Sequence, residues 1–194
     1  MRFLPGLICL LPLLSPLAHA ELIDDVNDRG ELRIALEANT PPFNFKEDGN
    51  LAGFEVELGQ MLASELEVRA DFVVTDANDL LTGVESGKYD IAINHLTETP
   101  ALKDRFDFSE PYINTNTQLI AQKEEPQSLL LVQSLTAEKP KAAQPVNLAI
   151  PFQKGNPAFH ASLENALQRI KADGRLTALE QKWFGAQSGE SPKP

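Results

Sequence analysis

The chain has 194 residues, with 17 Lys and Arg against 28 Asp and Glu, a net charge of −11. A 42% hydrophobic share beside 23% charged residues is a globular balance and argues against wholesale disorder. The acidic excess argues against nucleic acid and against a polybasic membrane-surface role, because both need clustered cations; a small molecule or another protein remains as partner.

Residues 1–20 read as an export signal. Arg2 is the only charge before Glu21, Phe3 to Leu17 is mostly Leu, Ile and Pro, and Ala18-His19-Ala20 supplies the small residues of a cleavage site. The apolar run is shorter than the ~20 residues of a membrane span, and Pro5, Pro12 and Pro16 interrupt it. Cleavage after Ala20 is expected, with no membrane insertion afterwards. It removes Cys9, the single cysteine, so the mature chain has no disulfide or thiol chemistry. Export without disulfides suits a bacterial periplasm.

Beyond Ala20 the pattern alternates. Leu32 to Leu36 reads as a strand, Asn39 to Pro42 as a break, and Asp48-Gly49-Asn50 as a hairpin turn. Phe54, Leu58, Met61, Leu62 and Leu66 have helical spacing. Ala70 to Val74 is the next strand. Asp76 is set to cap a helix through Val84, with Gly87 past its end. Ile91-Ala92-Ile93 is a buried strand, and Thr117 to Ala121 and Val146 to Ile150 are two more. Helices follow over 156–172 and 176–184, and 187–194 reads as a polar tail. The fold class is α/β, a mostly parallel sheet flanked by helices. Residues 124–145, with the apolar run Leu129 to Val132 and then a Lys/Ala/Pro-rich stretch, form a bridge too long for an ordinary connection.

Five segments carry a resemblance. They are Leu32-Arg33-Ile34-Ala35 with Pro41-Pro42-Phe43-Asn44-Phe45; Gly53-Phe54-Glu55-Val56-Glu57-Leu58; Gly87-Lys88-Tyr89-Asp90 with Thr97-Glu98-Thr99-Pro100; Asp107-Phe108-Ser109-Glu110-Pro111-Tyr112; and Lys171-Ala172-Asp173-Gly174 with Lys182-Trp183-Phe184-Gly185. In this order they resemble the bacterial extracellular solute-binding proteins of family 3, periplasmic receptors of amino-acid ABC importers. The resemblance implies a periplasmic-binding-protein-like (type II) clam of two lobes that traps its ligand on closing. An insertion of roughly 80–100 residues, a second lobe, is expected after the strand at 117–121. Only the bridge stands there. The implied organisation is a signal peptide at 1–20, one lobe from 21–123 and 146–186, a bridge at 124–145 replacing the second lobe, and a tail at 187–194.

The resemblance also implies where ligand contacts belong. An Arg that forks onto a ligand carboxylate is expected at Leu102, and covering aromatic residues at Thr40 and Ala77. Asn94, His95 and Thr97 occupy the family's polar loop and keep hydrogen-bonding capacity. Phe43 is open to two readings, lining a ligand surface or packing in the core. Asp107 to Tyr112 is expected to pack and turn the chain, and Trp183 to anchor the last helix.

Three function classes follow. The first is a solute-binding protein with a weakened or altered site for a polar small molecule such as an amino acid, with an ABC permease as partner. The second is an interaction module, its open cleft face docking a protein or self-associating. The third is an enzyme: dehydratases of the cyclohexadienyl type share this fold but need a charged, enclosed pocket. Leu102 and the missing lobe argue against that, so the expectation is a binding protein without catalysis, cofactor or metal.

Overall fold

A computed structural model describes residues 21–115 and 146–185. The export signal with its cleavage point, the strand at 117–121, the bridge at 124–145 and the tail at 187–194 therefore lie outside the described residues.

In chain order the elements are α1 (Leu22–Arg29), β1 (Glu31–Leu36), β2 (Asn39–Thr40), β3 (Asn44–Glu47), β4 (Asn50–Ala52), α2 (Phe54–Glu65), β5 (Arg69–Val74), α3 (Ala77–Glu85), β6 (Ile91–Ala92), α4 (Pro100–Lys103), β7 (Phe106–Phe108), β8 (Ile113–Thr115), β9 (Val146–Leu148), β10 (Pro151–Gln153), α5 (Pro157–Ala172) and α6 (Arg175–Phe184). Five strands form the main sheet in the order β5-β1-β6-β10-β7. β1 runs parallel to β5 and to β6, while β10 enters antiparallel between β6 and β7. The expected parallel pattern thus holds for three strands, and the return of the chain as β10 makes the sheet mixed.

Strand periodicity sorts side chains to the two faces. Leu32, Ile34, Ile91 and Ile93 join a large core with α1, α2, α5 and α6; Ala35 and Ala92 face a smaller one with Leu80 and Val84 of α3. In α5, Phe159, Leu163, Ala166, Leu167 and Ile170 are buried on one stripe. Each such side chain contributes ~1.5–3 kcal/mol on burial.

Local signals fix the ends of the elements. Asp76 caps α3, its carboxylate accepting from the amides of Asn78 at 2.9 Å and Asp79 at 3.0 Å. Asp48 (φ 50°) and Gly49 (φ 83°) make the two-residue turn between β3 and β4, which pair Glu47 with Asn50. At the amino ends of β1 and β6 the fully buried Asp90 carboxylate pairs with Arg29 at 2.6 Å and Arg33 at 2.7 Å and also accepts from the Arg33 amide at 2.8 Å. That accounts physically for the Arg33 and Asp90 of the quoted segments.

β8 and β9 lie antiparallel with Thr115 opposite Val146. Ile113–Thr115 is the last strand described before residue 116, and the return strand stops at Leu148 before β10 begins.

Candidate functional site

β1, β5 and β6 are parallel, so their carboxyl ends open on one side of the sheet, where open α/β sheets bind ligands. The chain leaves β1 into Glu37 and Ala38 and leaves β6 into Ile93, Asn94 and His95. Polar atoms there form one chain of hydrogen bonds. Asn94 Nδ2 donates to Glu37 Oε2 at 2.7 Å, and Asn94 Oδ1 accepts from the Glu37 amide at 3.1 Å. The same Oδ1 accepts from Asn44 Nδ2 at 3.2 Å, and that nitrogen also donates to Glu55 Oε2 at 2.5 Å. Asn44 cannot turn its amide round, because its Oδ1 already accepts from the Ala38 amide at 2.9 Å. Glu55 Oε1 accepts twice, from the His95 amide at 2.5 Å and from the Tyr112 hydroxyl at 2.6 Å.

The two carboxylates of this chain differ in setting. Glu55 and Asn44 are fully buried, and Asn94 is nearly so. Burial holds the Glu55 carboxyl above its ordinary value, opposed by the donors from Tyr112, His95 and Asn44. Burial, and then the Glu55 charge, push the Tyr112 hydroxyl well above its ordinary value, so Tyr112 stays a donor. Glu37 is half-buried at the open side, and among the described residues no Lys, Arg or His stands within ion-pair distance of it.

His95 adopts φ 42°, the left-handed region that a non-glycine residue enters at a cost. Its Nδ1 is buried with no hydrogen-bond partner among the described residues, and its ring lies 5.9 Å from Phe43. Thr97 is exposed and bridges to Leu148, and the Ala149 amide donates to the Leu96 carbonyl at 3.0 Å. The polar loop is thereby stitched to the return strand.

The seven residues singled out in the sequence do not all meet. Asn94 and His95 sit in the network, and Thr97 continues their loop. Phe43 is buried in the large core, 5.4 Å from Phe184. Thr40 is half-buried and donates to Asn39 Oδ1; Ala77 is exposed at the start of α3. Leu102 packs against the smaller apolar cluster. None of these three joins the network. Glu37, Asn44, Glu55 and Tyr112 are the members that sequence reasoning missed as site residues. The signal for Glu55 is its spacing: Leu58 and Leu62 follow at i+3 and i+7, so it shares their inward face. For Glu37 it is the position directly after a buried strand.

Trp183 packs edge-on to Phe45 at 5.9 Å. It also lines an open groove of about 640 Å³ between the β3–β4 hairpin, α2 and α6, which holds none of the seven.

An α/β lobe with a polar loop at the carboxyl ends of its parallel strands has the layout of an open-sheet ligand-binding fold. Residues 32–186 match the profile of the bacterial extracellular solute-binding proteins, family 3, and the chain belongs to that family. The L-cystine-binding protein TcyJ of Escherichia coli (strain K12) is 25% identical over 234 residues, covering 87% of this chain and 88% of its own. Because 87% of 194 residues falls well short of 234, that alignment carries long gaps on this side. Among solved structures, the ancestral cationic amino acid solute-binding protein AncCDT-1 aligns with a TM-score of 0.68 at 22% identity, over 84% of this chain and 99% of its own. A mutant of the arginine-bound form of domain 1 from TmArgBP aligns with a TM-score of 0.60 at 24% identity, over 77% of this chain and 98% of its own.

Proposed function

We propose that this chain is a periplasmic solute-binding protein of the amino-acid receptor type, reduced to one lobe, whose cleft takes a small cationic solute rather than an ordinary α-amino acid. The observation that carries this reading is Glu37. Its carboxylate stands at the carboxyl end of β1, oriented by Asn94 at 2.7 Å and by no cation among the described residues. A carboxylate so held is an acceptor for an ammonium or guanidinium group.

The anchor for a carboxylate is weakened at the same time. Leu102 stands where the family's resemblance calls for an Arg, and it is half-buried against apolar neighbours. Hydrogen bonds to a charged group are worth ~1.5–3 kcal/mol each, and ~1.4 kcal/mol is tenfold in affinity. Losing a two-pronged fork therefore costs an amino-acid ligand several powers of ten.

The single-lobe reading takes residues 21–123 and 146–186 as the lobe and 124–145 as a bridge in place of the second. The long gaps in the TcyJ alignment support it. So does domain 1 of TmArgBP, solved alone in an arginine-bound form, as a case of one lobe holding a ligand. One lobe encloses less of a ligand than the usual 70–90%, so the affinity expected is weak. An importer permease is the family's membrane partner and is carried over as part of this reading. Glu55 has three donors on its carboxylate, which supports a structural acid rather than a catalytic one.

The alternative, a docking or dimerisation module, needs an exposed apolar face. Among the described residues the one large hydrophobic side chain that is exposed is Val74, at 42%. That favours the solute reading. Melting curves of residues 21–194 with L-arginine, agmatine, L-glutamate and L-cystine test it. Agmatine should raise the melting temperature at millimolar concentration, L-arginine less because its carboxylate meets no fork, and glutamate not at all. No shift with either cation, or an equal shift with glutamate, overturns the reading.

A further inference from the structure

We propose that Glu55 is a positioning residue that fixes the cleft loop 94–97 to the paired exit and return strands, making loop and strand pair move as one unit. The inference rests on the solute reading only for its purpose, since it gives the loop's position a route to the base of the segment that leaves the lobe.

The geometry concentrates on one oxygen. Glu55 Oε1 takes the His95 amide of the loop at 2.5 Å and the Tyr112 hydroxyl, one residue before β8, at 2.6 Å. Tyr112 is fully buried, its ring stacked on Phe54 at 6.2 Å, and its amide donates to the Leu148 carbonyl of β9 at 2.9 Å. A second tie closes the ring: Ala149 donates to Leu96, and Thr97 bridges to Leu148. The loop, Glu55 and the strand pair thus form a closed circuit, and breaking any one tie loosens the others.

The neighbours present only donors to Glu55. Three donors converge on it, and the Ala38 amide prevents Asn44 from turning its oxygen toward Glu55. The left-handed backbone of His95 persists because this carboxylate holds its amide. On the open side the circuit runs on through Asn44 and Asn94 to Glu37, so a ligand on Glu37 pulls on the same circuit.

Tyr112→Phe removes one hydroxyl and leaves the ring in its place, so it tests the tie without emptying the core. Amide hydrogen exchange on residues 21–194 is the readout, with no ligand present. The proposal expects exchange at His95 and Ala149 to rise about tenfold, while Ile34 in β1 is unchanged. Ser109→Ala is the control, because Ser109 Oγ accepts from the Ile150 amide at 3.0 Å and does not touch Glu55. It should raise exchange at Ile150 and leave His95 alone. A rise confined to Tyr112's own amide, an equal rise at every amide, or a rise at His95 in both variants overturns the proposal. A positive result without ligand, followed by no response to agmatine, upholds the positioning role and rejects the solute reading.

Discussion

Thr115 and Val146 face each other across an antiparallel strand pair, so the residues between them leave and re-enter the lobe at one point. If 116–145 adds only loop entropy to the lobe, cutting its 30 residues to two is about four halvings at ~0.6 kcal/mol each and lowers that cost by ~2.4 kcal/mol. Replacing 116–145 with an Asn-Gly turn is therefore expected to leave a folded protein whose midpoint in urea is higher. A chain that no longer unfolds cooperatively would mean that 116–145 carries core contacts.

Asp90 is a buried carboxylate held by two guanidinium groups. Removing Asp90 takes its hydrogen bonds from two partly exposed guanidinium groups and from the Arg33 amide, each bond to a charged group being worth ~1.5–3 kcal/mol. Asp90→Ala should lose stability on that scale in urea unfolding, while cutting the exposed, solvent-screened Arg105–Glu85 pair with Arg105→Ala should cost far less. Equal losses would contradict the burial argument.

Gly53 sits at φ 124°, and a Cβ there would lie 2.2 Å from the Phe43 carbonyl oxygen. This close approach lets Glu55 donate its amide to that carbonyl at 2.8 Å and starts α2 beneath the polar loop. Gly53→Ala combines a strained backbone with a clash and is expected to cost roughly 2–4 kcal/mol. Gly49→Ala also has a positive φ but meets nothing within 4 Å, so its cost should be about 1 kcal/mol. Paired thermal melts decide the point.

The pH dependence of Glu55 has a definite sign. Its folded-state value is raised by burial above the ordinary 4.5, so the folded protein holds this proton more tightly than the unfolded chain. The stability it contributes is complete below that ordinary value and is lost as pH rises through the folded value. The stability of the native protein minus that of Glu55→Gln should thus shrink as pH rises from 4 toward 7. A gap that widens over that window would mean that the three donors outweigh burial.

Periodicity made the lobe legible. The alternation of Leu32 and Ile34, the stripe of Phe54, Leu58 and Leu62, and the cap at Asp76 each became the element their spacing implies. β7 and β10 escaped because three-residue strands carry too little alternation, and their pairing comes from contacts distant in sequence. The site was half legible. Asn94 and His95 were found as a polar loop. Glu55 was not: an acid in the first turn of a helix is favoured there by the dipole, and that ordinary role masked the i+3 and i+7 spacing to Leu58 and Leu62 that places it on the inward face. Thr40 and Ala77 came from the family pattern, and no local physical signal in this chain supports them as contacts.

Calorimetry of residues 21–194 with agmatine, native against Glu37→Gln, tests the central claim most directly. Gln keeps an oxygen for Asn94 and removes the charge. The native protein should bind with weak, measurable affinity, and the variant should lose about 10- to 100-fold, the worth of one hydrogen bond to a charged group. Unchanged affinity in the variant, or heat with L-glutamate but none with agmatine, would contradict a cleft built for a cation.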